Sequence, residues 1–253
     1  MIKLSERLHK IALQVPCGSR LADIGSDHAL LPTFLALSGT VEYGVAGELN
    51  PGPFEAASQQ VAAAGLKKRI QVRRGNGLSV IHPEDEIDVV TIAGMGGGLI
   101  ATILDEGRER LGPVKRLVLQ PNVAEDQVRC WLDEHGWLIV HEQILEEDGK
   151  LYEIITAERA ADPSGAAELY SRLTLAEGTV LHKDWLYRFG PLLVKEAPAL
   201  FFVKWRSEVE KLEHICRQLA QSDTASARDK EAVFRAEIKL MEEVMACLPK
   251  AKP

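Results

Sequence analysis

Acidic and amide side chains recur in this sequence where apolar, strand-like runs end. The first cluster is Asp23, Gly25, Ser26, Asp27 and His28 in ADIGSDHALLP, and Glu48 in VAGELN follows 25 residues after Asp23. RGNGL then sets Asn76 between two glycines, TIAGMGGGLI packs Gly94, Gly96, Gly97 and Gly98 into five positions, and Gln120-Pro121-Asn122 closes the series. After Gly25, the positions that would complete G-x-G-x-x-G hold Asp27 and Leu30. A turn carrying two carboxylates repels a pyrophosphate, so it suits the ammonium and sulfonium of S-adenosylmethionine better than a nicotinamide dinucleotide. An acid at Glu48 is placed to accept from both hydroxyls of a ribose. Asn76 can accept through its carbonyl and donate through its amide to an adenine edge. The glycines after the fourth run either let a helix approach the sheet or leave room for a flat base. Each position also has a plain structural reading: a tight turn, an exposed loop, an Asn-Gly turn, a helix start or, for His28, a helix cap.

The elements that would position these residues alternate. RLADIG, TVEYGVAGE, RIQVRRG, IDVVTIAG, RLVLQP, WLIVHEQIL and LYEIITAE read as seven strands, with helical stretches such as Pro51–Ala64, Gly98–Arg110 and Glu125–Glu134 among the first six. Strands alternating with helices predict an α/β fold with a parallel sheet and helices on both faces. EEDGK is too short for a crossover helix and carries Asp148-Gly149, so the last two strands are expected as an antiparallel hairpin. A parallel sheet ending in such a hairpin points to the class I (Rossmann-like) methyltransferase sheet.

RAADPSGAAE marks a boundary near Asp162–Gly165, giving an expected donor-binding domain over 1–162 and a helical domain over 163–253. In the second, Phe202, Trp205, Val209, Leu212, Ile215 and Leu219 recur at helical spacing, and after DTASARD so do Val233, Ala236, Leu240 and Val244. This predicts a coiled-coil-like helical hairpin. The 253-residue chain carries a net −7, divided unevenly: residues 1–164 have 16 basic and 24 acidic side chains, residues 165–253 have 14 and 13. Lys67, Lys68, Arg69, Arg73 and Arg74 nevertheless cluster in KKRIQVRRG, read either as a solvated strand edge or as a phosphate-contacting patch. No apolar run approaches the roughly 20 residues of a membrane span, and the first residues are wrong for a signal peptide. Cys17, Cys130, Cys216 and Cys247 lack metal-ligand spacing and are expected as reduced thiols of a cytoplasmic protein with no metal. No obligate protein partner is evident.

ADIGSDHALLP, GELNPGPFEAA, GNGL, IAGMGGGLI, LQPN and LYEII, in this order, resemble the TrmK family of bacterial tRNA (adenine 22-N1)-methyltransferases, over roughly residues 1–157 with a similar helical tail. The resemblance implies S-adenosylmethionine as donor, N1 of adenine 22 in tRNA as acceptor, and a C-terminal domain that helps hold the tRNA. Its donor site would be lined by Asp23, Gly25, Ser26, Asp27, His28, Glu48, Leu49, Asn76, Gly77, Ala93, Gly94 and Met95. Two positions depart from the pattern: Asn76 stands where related enzymes often carry Asp, and Leu30 where an aromatic is common.

Chemistry adds a further expectation. Adenine N1 has an in-plane lone pair, so no proton must be removed before attack, and the product is a cation. Methyltransferases of exocyclic amines use an Asn/Asp-Pro-Pro-aromatic motif after the fourth strand, whereas Ala93-Gly94-Met95-Gly96 offers only backbone carbonyls there. Asp27 and His28 are expected as the catalytic pair, facing the reacting edge with Asp27 balancing charge. Lys183, Arg188, Lys204 and Arg206 join the basic run as candidates for tRNA contact. The alternatives are a methyltransferase acting on another RNA and an RNA-binding module without activity.

Overall fold

The computed structural model describes residues 2–160, 168–222 and 224–249. The chain divides into two compact units, Met1–Leu169 and Tyr170–Pro253. The boundary expected at Asp162–Gly165 lies outside the described residues.

Unit 1 begins with helix α1 (Glu6–Ala12), which Ser5 caps by accepting from the Leu8 N–H. Then follow β1 (Ser19–Ile24), α2 (Leu30–Leu37), β2 (Val41–Glu48), α3 (Pro51–Ala63), β3 (Ile70–Arg74) and β4 (Val89–Met95). The unit continues through α4 (Gly97–Glu106), β5 (Arg116–Pro121), α5 (Glu125–Glu134), β6 (Trp137–Glu147) and β7 (Lys150–Arg159). The seven strands form one sheet in the order β3-β2-β1-β4-β5-β7-β6. The first five pair in parallel, and β7 is antiparallel to both β5 and β6. Central strands such as β1 and β5 are buried at nearly every position, as a sheet covered on both faces requires. The hairpin turns at Asp148 and Gly149, both at positive φ (51° and 70°), the requirement of a type I′ turn. The α4 helix ends sooner than its periodicity predicts, because a 3₁₀ turn takes over at Arg108–Leu111.

Beside the hairpin, α5 buries an arginine. Arg129 Nε lies 2.7 Å from Glu142 Oε1 on β6, and its Nη2 lies 2.5 Å from Glu153 Oε2 on β7, with all three side chains essentially inaccessible. A buried charge survives only when paired and hydrogen-bonded, so two carboxylates from two strands hold this one.

Unit 2 contains a short β8–β9 pair (Leu173–Thr174 and Val180–Leu181) and helices α6 (Lys183–Phe189), α7 (Leu193–Glu196), α8 (Ala199–Leu219) and α9 (Ala225–Cys247). Phe189, Phe201 and Trp205 pack as an aromatic cluster. The expected apolar stripes are partly out of phase. On α8 Phe202, Trp205 and Val209 are buried as expected, but farther along Cys216 is buried and Ile215 exposed; on α9 Val233 and Ala236 are exposed, and Ile238 and Met241 are buried with Val244. A mixed apolar face allows two neighbouring phases, and packing selects one of them. The basic run is also partly structural. Arg73 forms a two-point pair with Asp85, and Arg69 donates to the carbonyls of Ala36 and Val41, while Lys67, Lys68 and Arg74 are exposed.

Gly97 is where α4 meets the β5–α5 loop: its N–H donates to the Val123 carbonyl (2.8 Å), and an added Cβ would sit 1.9 Å from the Ala124 carbonyl oxygen. Gly97→Ala is therefore expected to lose about 1–3 kcal/mol of stability by overpacking against backbone. Gly98→Ala meets only the end of the Gln127 side chain (2.7 Å) and recovers roughly 1 kcal/mol of helix propensity. Thermal melts of the two variants should therefore separate, the Gly97 variant unfolding at the lower temperature.

Candidate functional site

The five parallel strands end on one edge of the sheet, and β1 and β4 are adjacent at the point where the strand order reverses. Ligands of open α/β sheets bind outside that point. The edge collects Gly25–His28 after β1, Glu48 and Leu49 at the end of β2, Asn76 and Gly77 after β3, Ala93–Met95 at the end of β4, and Gln120–Asn122 at the end of β5.

Asp23 is the anchor. It is 4% exposed, and its two oxygens accept from Thr91 Oγ1 and Ser26 Oγ, each at 2.5 Å. Burial raises its carboxyl above the ordinary value, and the Asp27 charge adds to the rise, while the Ser26 and Thr91 hydroxyls act in the opposite sense. The turn beyond is wound tightly. Gly25 has φ +67°, its N–H donates to the Gly47 carbonyl (2.9 Å), and an added Cβ would collide with Met95 Cε at 2.2 Å. Asp27, His28 and Ala29 follow with φ of 43°, 65° and 54°. Three consecutive non-glycine residues in the left-handed region store strain of about 1–2 kcal/mol each. The result lifts the side chains of Asp27 and His28 into solvent, 84% and 56% exposed, with Oδ1 and Nε2 3.5 Å apart. His28 is not the helix cap: Ala29 occupies that position on α2, and no side chain caps it.

Glu48 faces the turn from β2. It is 6% exposed, and its Oε1 has no hydrogen-bond partner among the described residues. Burial and then the Asp23 charge push its carboxyl upward, with Asp27 adding; the Asp27 N–H and His28 counteract. Asp23, Asp27 and Glu48 thus make an electronegative pocket with one buried acceptor still open. Around it Leu49 is 57% exposed, Asn76 is exposed with no side-chain cap bond, and Gly77 turns at φ +53°. Ala93 is half-buried and Gly94 exposed, and Met95 lies across Gly25. The glycine run divides between its two readings: Gly97 serves close packing, whereas Gly94 and Gly96 have no neighbour nearer than 3.8 Å to an added Cβ.

Two residues of this edge escaped the sequence reading. Thr91 is a hydroxyl in an otherwise apolar strand, a signal that was visible. Arg7 reaches Gln120 Oε1 from α1 across 113 positions, which no local pattern could announce.

The strand order and the acidic carboxyl edge define a class I methyltransferase fold. The family described as tRNA (adenine(22)-N(1))-methyltransferase, TrmK, matches residues 21–243, and the chain belongs to that family. A Bacillus subtilis (strain 168) tRNA (adenine(22)-N(1))-methyltransferase is 41% identical over 245 residues, covering 96% of this chain and 98% of that protein. The crystal structure of the B. subtilis M1A22 tRNA methyltransferase TrmK superposes with a TM-score of 0.85 at 39% identity, covering 96% of this chain and 99% of that one. A Streptococcus pneumoniae protein in complex with S-adenosyl-L-methionine gives a TM-score of 0.79 at 41% identity, with coverage of 96% and 99%.

The raised Asp23 carboxyl sets a pH signature. The unfolded chain loses this proton first, so stability falls as pH rises from the ordinary value through the folded one. Thr91→Val removes a donor that favours the charged form and raises the folded value further. Its cost, about 1–3 kcal/mol for a buried acceptor left unsatisfied, should be larger at a pH well above the ordinary carboxyl value than at a pH close to it. Denaturant melts of wild type and variant at both pH values check this.

Proposed function

We propose that this carboxyl edge is the donor pocket of an enzyme that transfers a methyl group from S-adenosylmethionine to N1 of adenine 22 in tRNA. The observation that carries the reading is Glu48, a buried carboxylate whose open oxygen calls for hydroxyl donors from a ligand. The pocket's residues fit such a donor. Glu48 would hold the ribose hydroxyls, Asn76 and Gly77 the adenine edge, and Leu49 and Met95 its faces. Ala93 and Gly94 offer backbone, and Gly25 brings backbone close to the methionine part. Asp23 and Ser26 brace the turn while the charges of Asp23 and Asp27 favour a cation. When bound, S-adenosylmethionine supplies an electrophilic methyl on a sulfonium.

The chain's own contribution is then positioning and charge. The lone pair of adenine N1 needs no general base, so the main requirement is in-line placement of base and methyl. Asp27, exposed at the mouth with His28 beside it, offers negative charge to the cationic product. N1 lies on the Watson–Crick edge, so a paired base must be withdrawn from its stem, which asks for an extended RNA-holding surface. Lys67, Lys68 and Arg74 of unit 1 and Lys183 and Arg206 of unit 2 are exposed and suited to phosphates. Arg73 is held by Asp85 and Arg188 lies 3.1 Å from Glu237, so their charges are partly spent. No helix among the described residues is long and apolar enough to cross a membrane; a tRNA substrate supports the reading of a cytoplasmic enzyme.

Incubation with labelled S-adenosylmethionine and unmodified tRNA, followed by nucleoside analysis, should yield 1-methyladenosine, and the product should vanish when adenine 22 is replaced by guanine. Alanine at both Lys183 and Arg206 should raise the KM for tRNA and leave donor binding unchanged. Methylation persisting on the guanine-substituted tRNA would move the target elsewhere.

Donor binding should also be proton-linked. Hydroxyl donors and a nearby cation favour ionised Glu48, lowering a carboxyl that burial and the Asp23 charge hold high. Binding should therefore release protons and strengthen as pH rises toward the value of the free protein. Calorimetry in buffers of different ionisation enthalpy measures the release, and Glu48→Gln should reduce it.

A further inference from the structure

We infer that Arg7, Gln120 and Asn122 form a clamp that fixes the Gly94 carbonyl as the acceptor for the amino group of the target adenine, so that this site reads adenine against guanine. The inference rests on the adenine-methylating function proposed above.

Gln120 is 0% exposed, and every bonding group of its amide is used. Its Oε1 accepts from Arg7 Nη1 and from the Gly94 N–H (3.1 Å), and its Nε2 donates to the Pro121 carbonyl (2.8 Å) and to Asn122 Oδ1 (3.1 Å). Asn122 Nδ2 in turn donates to the Gly94 carbonyl (2.8 Å). Both polar groups of one peptide residue are thus held by two amides, and the amides hold each other. Arg7 is secured from the far side by Glu147, which accepts the Arg7 N–H (2.9 Å) and lies 3.5 Å from its Nε, and the guanidinium sits 5.3 Å from the centre of the Tyr152 ring.

The residue so held sits at a weak point of the sheet. Gly94 has φ +77°, β4 slips register against β5 between Ala93 and Met95, and Gly94 is exposed. Left alone, this glycine peptide could rotate; the clamp fixes where its carbonyl points. A carbonyl oxygen has two lone pairs, and Asn122 uses one. Adenine carries an amino donor beside its N1 lone pair, whereas guanine carries the O6 acceptor beside an N1–H. A fixed carbonyl accepts from the first and repels the second, and a site built to bond a polar group rejects the analogue that lacks it. Glu147 also offsets the Arg7 charge, so the clamp adds little repulsion toward a cationic product.

The test compares full-length wild type, Arg7→Ala, Arg7→Lys and Gln120→Leu in single-turnover methylation of two tRNAs. One carries adenine at position 22, the other purine, which keeps N1 and lacks the amino group. Donor affinity is measured in parallel by calorimetry with S-adenosylhomocysteine. Wild type should react about tenfold more slowly with the purine tRNA, the worth of one hydrogen bond. Arg7→Ala should lose about tenfold on adenine tRNA and little on purine tRNA, so that the preference collapses at unchanged donor affinity. Arg7→Lys should restore part of it. Should Gln120→Leu fail to fold, Arg7→Ala decides alone. An equal loss on both tRNAs, or no loss on either, overturns the clamp. Wild type that methylates neither tRNA overturns the parent reading instead.

Discussion

Burying the carboxylate of Asp23 is the constraint on which the site depends. A charge taken out of water must be given partners, and here they come from two directions: Thr91 on the neighbouring strand and Ser26 on the turn that follows. The first bond ties β1 to β4 at the point where the sheet reverses its order. The second holds the turn at Gly25, just ahead of the left-handed run from Asp27 to Ala29. With those residues lifted clear, the pocket between β1 and β2 opens and Glu48 is left facing it. The same carboxylate raises the cost of ionising Glu48, a cost that a cationic, hydroxyl-bearing ligand would lower.

Much of this was legible because it interrupts a pattern. Asp23 and Glu48 stand out as acids ending apolar runs, and Gly25 as a residue that can turn without a Cβ. Asp148-Gly149 announced the hairpin that sets β7 between β5 and β6, since few other dipeptides supply two positive φ angles in succession. What stayed hidden depends on three-dimensional neighbours. Arg7 looks like one more charge on a short amphipathic helix until the fold brings it to Gln120. The choice between Ile215 and Cys216 is one of helical phase, and only the packing of α8 settles it. Arg69 and Arg73 read as free cations, yet a carbonyl cluster and Asp85 hold them, because sequence counts charges without pairing them.

The glycine run after β4 shows how one motif can do two jobs. Gly97 admits the backbone of the β5–α5 loop at a distance no side chain would allow. One and three residues earlier, the absence of side chains at Gly96 and Gly94 keeps the edge open and leaves its chemistry to backbone atoms. Backbone atoms are poor at holding their own orientation, which is why amides from β5 and an arginine from α1 surround them. The surroundings of Gly94 are thus assembled from distant parts of unit 1, and those of Glu48 mostly from adjacent strand ends.

The buried Arg129 has a consequence for how the protein is made. Its two carboxylate partners lie on β6 and β7, and β6 reaches the rest of the sheet only through β7, the last strand of unit 1 to leave the ribosome. A nascent chain that has emerged only as far as β6 would have to dehydrate the guanidinium with one partner missing. The corner formed by α5, β6 and β7 therefore gains both ion-pair partners only once the hairpin is complete. Until the β7 segment has emerged, this edge of the enzyme remains exposed to aggregation or proteolysis.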